Sequence, residues 1–349
     1  MPLDFTLSCP FPIQNYPHVL LAHGGGGTLM HQLIERMILP AFGNPQLNTR
    51  HDGATLVLDG AKLAFTTDAY VVRPLFFPGG DIGSLAVHGT INDVAMSGAK
   101  PLYLAATFVL EEGFALSDLK RIVVSMAAAS RAAGVPVVTG DTKVVEQGKG
   151  DGVFITTTGI GVVPDGIDIA GDRARPGDAI LVSGTLGDHG VAIMSLRENL
   201  AFETTIESDS AALHELVAAM VAAVPRIRCL RDPTRGGLAT TLNELATQSG
   251  CGMVIRERDL PVKPQVAAAC EFLGLDPLYV ANEGKLVAIV PGADAARLLA
   301  AMRAHPLGRD AAIVGEVIQD SLHFVQMETS FGGRRNVDWL TGEQLPRIC

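Results

Sequence analysis

The sequence has little positive charge and no long basic run. Its 27 lysines and arginines are outnumbered by 37 aspartates and glutamates, which leaves a formal net charge of −10. A chain with this balance is expected to bind neither nucleic acid nor an anionic membrane surface. Small molecules and other proteins are therefore the expected partners.

Paired cysteines and long apolar runs are also missing. The cysteines are odd in number and far apart, without the spacing of a zinc site, at positions 9, 229, 251, 270 and 349. No apolar run approaches the roughly 18 residues that cross a bilayer. The first residues lack the basic and apolar segments of a signal peptide, and prenylation would need a cysteine fourth from the end, whereas Cys349 is last. We therefore expect a protein of the reducing cytoplasm.

What the chain does have is enough apolar sequence for two buried cores. Its 349 residues are 48% hydrophobic, and the mean hydropathy is +0.28. Proline and glycine cluster near residue 170, which is the best candidate for a domain boundary. We predict an α+β (mixed α/β) fold with a lead-in at 1–20, domains at 21–168 and 169–327, and a flexible tail at 328–349.

Hydrophobic periodicity predicts strands and helices in both halves. The predicted strands are 54–58, 62–67, 103–110, 135–139, 153–163, 179–183, 253–256, 285–290, 311–319 and 322–327. The predicted helices are 84–97, 117–133, 188–200, 210–223, 237–249, 264–273 and 293–304, with Ser117 as a helix cap. A further helical pattern follows residue 28 and is expected to break at Pro40.

Two stretches beside predicted elements suggest ligand contacts. Gly24-Gly25-Gly26-Gly27 opens a helical pattern, so its N–H groups could hold phosphate oxygens, although a flexible hinge is an equal alternative. The strand at 135–139 is expected to be buried. Asp141, Thr142 and Lys143 follow it, at the end of a strand where α/β proteins place ligands.

Aspartates recur at predicted element ends or beside glycine, and their hard oxygens suit Mg²⁺ that bridges nucleotide phosphates. Asp93 is different because it falls inside a helix, where it needs a reason such as a metal ion or a helix–helix hydrogen bond. The plain alternative is that such aspartates cap turns and helices, as Asp232 could do with Pro233 at a first helical position. The set comprises Asp52, Asp68, Asp93, Asp141 and Asp232.

The end of the chain reads as an arm that carries a thiol. From Glu328 onward the hydrophobic period is lost and glycine and charge increase. At about 3.3 Å per extended residue the arm could reach on the order of 60–70 Å. The carboxylate beside Cys349 should raise the pKa of its thiol, and Arg347 would oppose that effect.

The order of the motifs resembles the PurM-like family of aminoimidazole ribonucleotide synthetase, selenophosphate synthetase and thiamine monophosphate kinase. Within it, the chain looks like the HypE family of hydrogenase maturation factors. The matching pieces run through almost the whole chain: residues 22–27, 67–68, 74–80, 89–95 with 97–99, 139–145, 183–190, 231–237, 281–285 and 346–349.

The resemblance implies a homodimer of two-domain protomers, with ATP held between the domains and near the dimer seam. The Gly24–Gly27 loop would close over the phosphates, and Asp141, Thr142, Lys143 and Asp188 would contact the nucleotide. The aspartates that match the family's Mg²⁺ site are Asp52, Asp68, Asp93 and Asp232.

HypE-like proteins are described as accepting a carbamoyl group on the terminal thiol from HypF. They then dehydrate it to a thiocyanate with ATP, and the cyanide passes to iron on a HypC–HypD complex. Cys349 would be the reacting thiol, and Lys143 would place a positive charge on a phosphate. A base must remove two N–H protons; Glu283 is the first candidate and His88, which could equally be a core residue, the second.

Two other functions stay open at this point. One is a small-molecule phosphotransferase or ligase of the same fold, which would leave the terminal cysteine without a purpose. The other is a non-catalytic maturation scaffold whose arm docks a partner. Replacement of Cys349 distinguishes dehydration of a carbamoyl group on this cysteine from these two alternatives.

Overall fold

The structure, a computed structural model, describes residues 18–42, 44–198, 206–340, 345 and 347–349. Most of the predicted lead-in at 1–20 therefore lies outside the described residues. Among the helices of the described part, none is both long and apolar enough to cross a membrane.

A five-stranded mixed sheet forms the first half of the chain. Its order is β1-β2-β7-β5-β6, and only β5 and β6 run parallel. Asp59 and Gly60, both with positive φ, make the tight turn between the first two strands, as their residue types favour. The strands are β1 (Ala54–Leu58), β2 (Ala61–Tyr70), the short pair β3 (Phe76–Phe77) and β4 (Gly80–Asp81), β5 (Lys100–Glu111), β6 (Val137–Val145) and β7 (Val153–Val162).

The helices of this half are α1 (Thr28–Leu33), α2 (Leu39–Phe42), α3 (Ile82–Met96) and α4 (Leu116–Ala133). Helix α3 packs on the sheet, and α4 packs against α3 and shares its hydrophobic cluster. The side chain of Asp81 caps α3 by accepting hydrogen bonds from the N–H groups of Gly83 and Ser84. Helix α3 lies so close to β7 that a Cβ on Gly161 would come within 2.5 Å of Val94. Close packing fixes the height of α3, and hence of Asp93, above the sheet.

The second half is built on a seven-stranded sheet of order β14-β13-β10-β12-β8-β11-β9. All neighbours in it are antiparallel except β10 and β13. The strands are β8 (Asp178–Val182), β9 (Cys229–Arg231), β10 (Gly252–Arg256), β11 (Val287–Pro291), β12 (Ala312–Ile318), β13 (Val325–Glu328) and β14 (Arg334–Asn336). The helices are α5 (Asp188–Arg197), α6 (His214–Ala223), α7 (Gly237–Ser249), α8 (Pro264–Leu273) and α9 (Ala295–Ala304).

The two halves share a hydrophobic core. Val94, Ala95 and Met96 at the end of α3 are buried in one cluster with Leu216 and Met220 of α6. Each fully buried side chain of this kind contributes about 1.5–3 kcal/mol. Helix α3 therefore ties both halves together and carries Asp93 to their boundary.

Most predicted elements are confirmed, with three corrections. The strand predicted as buried at 135–139 is β6, which is exposed along most of its length and contains Asp141–Lys143 instead of preceding them. A run of valines indicated burial, but β6 lies at the edge of its sheet. Ser117 is not the cap of α4, which begins at Leu116 after Ala115. Pro40 does not end the first helical stretch, which continues through α2.

The segment after β13 differs from the free arm expected from residue 328. Arg334–Asn336 forms β14 and pairs with β13. Val337 and Leu340 are buried, and the carbonyl of Leu340 accepts a hydrogen bond from the N–H of Thr28 at 3.0 Å. The glycines and charged residues suggested an arm because they form no hydrophobic pattern. Strand pairing, however, depends on backbone hydrogen bonds and does not require such a pattern.

Candidate active site

A cavity of about 400 Å³ lies where the two halves meet, and carboxylates dominate its wall. The first half contributes Asp52 from the turn before β1, Asp68 from β2 and Asp93 from α3. The second half contributes Asp232, just after β9, and Glu283, from the loop before β11. The four aspartates predicted to hold a metal ion are thus brought to one cavity with the predicted base.

A chain of ion pairs supports one side of the cavity. Arg231 binds Asp52 through its Nε at 3.0 Å and Glu244 through Nη2 at 2.9 Å. Glu244 in turn lies 3.0 Å from Nε2 of His31 on α1. The ring of His31 packs edge-on against Trp339, with centroids 4.5 Å apart. Residues from both halves and from the segment after β14 therefore meet on this wall.

Asp93 and Asp232 are buried near other carboxylates, which disfavours their negatively charged forms. Burial first, and then the charge of Asp232, raise the pKa of Asp93 well above its ordinary value. Burial and the charge of Asp52 do the same to the pKa of Asp232. Arg231 opposes the second effect without cancelling it. Because these like charges are crowded together, binding of a cation beside them would be favourable.

The cavity fits a magnesium ion that is shared with a phosphate ligand. Six carboxylates and only two guanidinium groups line it, and one oxygen of Asp52 is buried without a hydrogen-bond partner among the described residues. No three His, Cys, Asp or Glu side chains in the described ranges stand close enough to enclose an ion by themselves. Mg²⁺ commonly takes one or two carboxylates and completes its shell with water and phosphate oxygens, so the donor set suits that mode.

Glu283 is buried, and its backbone is firmly held. Its N–H donates to Asp209 at 3.0 Å, and Asp209 pairs with Lys285 at 3.2 Å. The amide of Asn92 on α3 donates to the carbonyl of Glu283 at 3.3 Å. Because Lys285 is engaged by Asp209, it is not the ion-pair partner of Glu283.

The carboxyl group of Glu283 is buried and is not fully hydrogen-bonded among the described residues. One of its carboxyl oxygens is buried and has no hydrogen-bond partner in the described part of the chain. Burial, followed by the charges of Asp232 and Asp209, raises its pKa well above the ordinary value. A carboxylate tuned upward in this way is a stronger base than an exposed one.

Cys349 lies in the same cavity as these carboxylates. The residue is only 8% exposed, and Ile348 beside it is 3% exposed. Burial raises the pKa of the Cys349 thiol, and Arg235 is the largest opposing influence. The cation that faces the thiol is therefore Arg235, whereas Arg347, which the sequence suggested, binds Asp151 instead.

One residue of the Gly24–Gly27 loop lies in the wall of this cavity. Gly26 lines the cavity with φ of +77°, and a Cβ there would come within 2.8 Å of Arg235. Only glycine accommodates both the conformation and the contact. Gly24, Gly25 and Gly27 are outside the lining, and Gly27 is instead the residue before α1.

A second cavity of about 690 Å³ adjoins the first and shares Asp52, Arg231 and His31 with it. Its wall combines apolar side chains, among them Met30 of α1, Leu39 of α2 and Phe65 of β2, with polar groups. A volume of this size is in the range of small-molecule sites. The two cavities together offer an acidic end and a larger, more apolar end.

Comparison with known proteins places this architecture in a family. The model of the AIR synthase related protein N-terminal domain matches residues 50–163, and that of the C-terminal domain matches residues 175–328. The chain is 70% identical over 330 residues to the carbamoyl dehydratase HypE of Cupriavidus necator, covering 94% of each chain. This chain belongs to the HypE family. Its relatives are named as enzymes, carbamoyl dehydratases.

Solved HypE structures share the fold. A crystal structure of the hydrogenase maturation protein HypE in complex with ATP is 52% identical, with a TM-score of 0.80, over 95% of this chain and 100% of that one. The HypE–HypF complex structure contains a chain 50% identical, with a TM-score of 0.84, over 88% of this chain and 99% of that one. The mixed α/β, two-domain PurM-like fold expected from the motifs is confirmed.

Three residues predicted to contact the nucleotide lie away from the cavity of this HypE-family protomer. Asp141, Thr142 and Lys143 are exposed on β6, where Lys143 pairs with Asp141 at 2.8 Å. The hydrogen bond from Lys143 lowers the pKa of Asp141 below its ordinary value. Within one protomer these residues do not meet the four aspartates, and their role stays a prediction.

Asp188 and His88 are also outside the cavity lining. Asp188 is buried at the start of α5, where it pairs with Lys263 at 2.9 Å. His88 lies on α3 with its Nδ1 3.0 Å from the hydroxyl of Ser210, and burial lowers its pKa to about 4. Asp232 is not the helix cap considered above, because α7 begins at Gly237 after Gly236.

The sequence reasoning missed several residues of the HypE-type site. Arg231 and Arg235 belong to the motif at 231–237, from which only Asp232 was selected. Their signal was present, since two arginines flanking a candidate metal ligand point to counter-charges. Glu244 and His31 carried no such signal, because their contacts join elements more than 200 residues apart.

Proposed function

We propose that this protein uses ATP and Mg²⁺ to dehydrate a carbamoyl group carried on Cys349, leaving a thiocyanate. The thiocyanate would supply the cyanide ligand of the iron centre of [NiFe]-hydrogenase. The observation that carries the proposal is the burial of Cys349 in the same cavity as Asp93, Asp232 and Glu283. The names of its close relatives and an ATP-bound HypE structure support the reaction class.

The two adjoining cavities suggest how the nucleotide lies. The acidic cavity would receive the phosphates, and carboxylates drawn from Asp52, Asp68, Asp93 and Asp232 would hold the Mg²⁺ that accompanies them. Bound there, the ion would offset the charge that raises the pKa of the buried carboxyls and would stabilise the transferred phosphoryl group. The larger cavity, with Phe65 and Leu39 in its wall, would receive the nucleoside.

The chemistry explains why a phosphate donor and a base are both needed. An amide oxygen is a poor leaving group, so the γ-phosphoryl group of ATP is transferred to the carbamoyl oxygen. The C–O bond then breaks and that oxygen leaves with phosphate. Two N–H protons are lost as the C≡N bond forms, and Glu283 is placed to take a proton. Arg235 would hold the sulfur or the carbamoyl oxygen beside it.

The raised pKa of Cys349 suggests that carbamoylation and dehydration take place with the chain end in different positions. While buried, its thiol is held neutral and is a weak nucleophile. Attack on an activated carbamoyl group would therefore take place with the chain end outside the cavity. Dehydration needs no thiolate and would take place inside it.

The proposal includes partners for each step. HypF is the expected carbamoyl donor, because a relative has been crystallised with it. A HypC–HypD complex would accept the cyanide, in the cytoplasm. A homodimer is also expected: β6 leaves one edge of its sheet open, with Val138 59% and Val144 65% exposed. A second copy on this edge would bring Asp141–Lys143 toward a nucleotide.

The test is mass spectrometry of the peptide that contains Cys349. The full chain is incubated with HypF, carbamoyl phosphate and Mg-ATP, and the carbamoylated peptide is expected to lose the mass of one water. In the Cys349→Ala variant, carbamoyl-dependent ATP turnover should disappear while ATP still binds.

Two results would favour the other functions. Unchanged ATP turnover in Cys349→Ala would indicate a free-standing phosphotransferase. Failure of the wild-type protein to bind Mg-ATP would indicate a non-catalytic scaffold.

A further inference from the structure

The last three residues lie in a groove with two different walls. One wall is the extended segment Val71–Arg73, which follows β2, and the other is a face of α5. His189, Ile193 and Arg197 stand four residues apart on α5 and so project from the same side of the helix.

The first wall binds the tail as an added strand would. The N–H of Val71 donates to the carbonyl of Cys349 at 3.0 Å, and the N–H of Arg73 donates to the carbonyl of Arg347 at 3.1 Å. Nε of Arg347 donates back to the carbonyl of Val71 at 2.9 Å. Such main-chain pairing gives affinity, while side-chain contacts give selectivity.

The second wall binds the opposite edge of the same residues. Nε2 of His189 donates to the carbonyl of Ile348 at 2.8 Å, while the Nδ1 of the same ring lies 2.7 Å from the hydroxyl of Ser208. The guanidinium of Arg197 binds the carbonyls of Arg73 and Arg347 together. The backbone of the tail is thus held on both sides.

Side chains of the tail are recognised separately. Ile348 is buried in one hydrophobic cluster with Ile193 and Ala281. The guanidinium of Arg347 binds Asp151, which precedes β7 and also binds Arg73. Asp151 is therefore the only acidic group with a described ion pair to the tail, and it is shared between the tail and the groove wall.

We propose that this groove is a receptor that reads the peptide sequence Arg-Ile-Cys, with Asp151 as the residue that selects arginine. The groove binds such a segment as a ligand in its own right, and the chain's own end is its tethered occupant. This inference concerns where the chain end is held and is independent of the reaction that follows.

The first test measures the rate at which iodoacetamide alkylates Cys349 in the full chain, by mass spectrometry of the peptide that carries it. Asp151→Asn and Arg347→Gln should each raise the rate on the order of fivefold, as expected for a partly exposed ion pair. The double variant should add little to either change, because both remove one interaction. Lys120→Gln, at an exposed position of α4 that takes no part in the groove, is the matched control and should leave the rate near wild type.

Buried Cys270 in the same samples reports general unfolding. If Asp151→Asn also accelerates the alkylation of Cys270, the result for Arg347→Gln decides whether Asp151 selects the arginine of the tail. Wild-type protection of Cys349 in Arg347→Gln, or equal effects of Lys120→Gln and Asp151→Asn, would overturn the assignment of Asp151.

The second test asks whether the groove binds a free ligand. A synthetic Leu-Pro-Arg-Ile-Ser peptide must compete with a tethered tail whose effective concentration is on the order of millimolar. At that concentration the peptide should displace the tail about half of the time and raise the alkylation of Cys349 severalfold, and the same peptide with alanine in place of arginine should not. No effect of either peptide, or equal effects of both, would refute a sequence-reading receptor.

Discussion

The buried cavity and the exposed strand β6 carry the same kinds of side chain in opposite settings. Asp93 and Asp232 are crowded in the cavity, where burial and like charges raise their pKa values. Asp141 on β6 is exposed and bonded to Lys143, which lowers its pKa. The sequence marked all three as ligands of the nucleotide or its metal ion. What distinguishes them is burial and the balance of charge: the exposed Asp141 has its own lysine, whereas six carboxylates line the cavity beside two arginines.

The largest expected effect is at Glu283. Glu283→Gln should lower the rate of carbamoyl dehydration by about 10²–10⁴-fold, because a positioned base contributes that much. ATP binding should be retained, since the amide keeps the shape of the site. Single-turnover conversion of the carbamoylated protein measures the step, and Glu146→Gln, on the exposed surface near β6, is the matched control. A rate near wild type would exclude Glu283 as the base.

The second effect is at Asp93, where binding and stability should change in opposite directions. Asp93→Asn should weaken Mg-ATP binding on the order of 100-fold, because a carboxylate ligand is lost. The same change should stabilise the metal-free protein, since it removes a buried charge from a crowded group. A stabilisation on the order of 1 kcal/mol would raise Tm by about 1–2 °C in a chain of this length.

The pH dependence of that gain follows from the raised pKa. A carboxyl group whose pKa is higher in the folded than in the unfolded protein binds more protons in the folded state. Its destabilising effect therefore appears as the pH rises above the pKa that the group has in the unfolded protein. In EDTA, the gain from Asp93→Asn should therefore be larger at about pH 8 than at about pH 5. Asp141→Asn should bring no gain at either pH, because the lowered pKa of Asp141 has the opposite sign. Equal gains in both variants would contradict the comparison.

The smallest effect is expected on the exposed strand. If β6 reaches the nucleotide of a second copy, Lys143→Ala should weaken ATP binding about tenfold, as loss of one charge-assisted contact would. Lys149→Ala, in the exposed loop after β6, should have no effect. Titration calorimetry measures both, and unchanged affinity in Lys143→Ala would restrict the nucleotide site to the cavity.

Local sequence patterns predicted the fold well where the physics is local. Helix α7 was predicted at 237–249 and lies there, because apolar spacing and flanking glycines are encoded within it. A strand near β6 was predicted, but its end and its burial were wrong, since exposure depends on a strand's place in the sheet. β9 was missed because three residues carry too little periodicity to register.

The candidate site was predictable as a set of residue types but not as a set of contacts. Local patterns selected five aspartates, Asp141 among them, and the family resemblance reduced the metal set to Asp52, Asp68, Asp93 and Asp232, which the fold brings to one cavity. Nothing local distinguishes Asp188, which the fold pairs with Lys263, from Asp232, which it leaves in the cavity. The partner of a charge is set by chain segments far apart in sequence.

The sequence by itself determined that Arg347 and Ile348 accompany Cys349, that the chain has two α/β halves, and that carboxylates accompany glycine at its motifs. Those properties depend only on residue order and composition. Tertiary structure alone decided where the described residues after β14 lie: the carbonyl of Leu340 is bound to the N–H of Thr28, and the carbonyl of Cys349 is bound to the N–H of Val71. It also decided that Arg235, and not Arg347, faces the thiol, because distance in space rather than in sequence governs charge interactions.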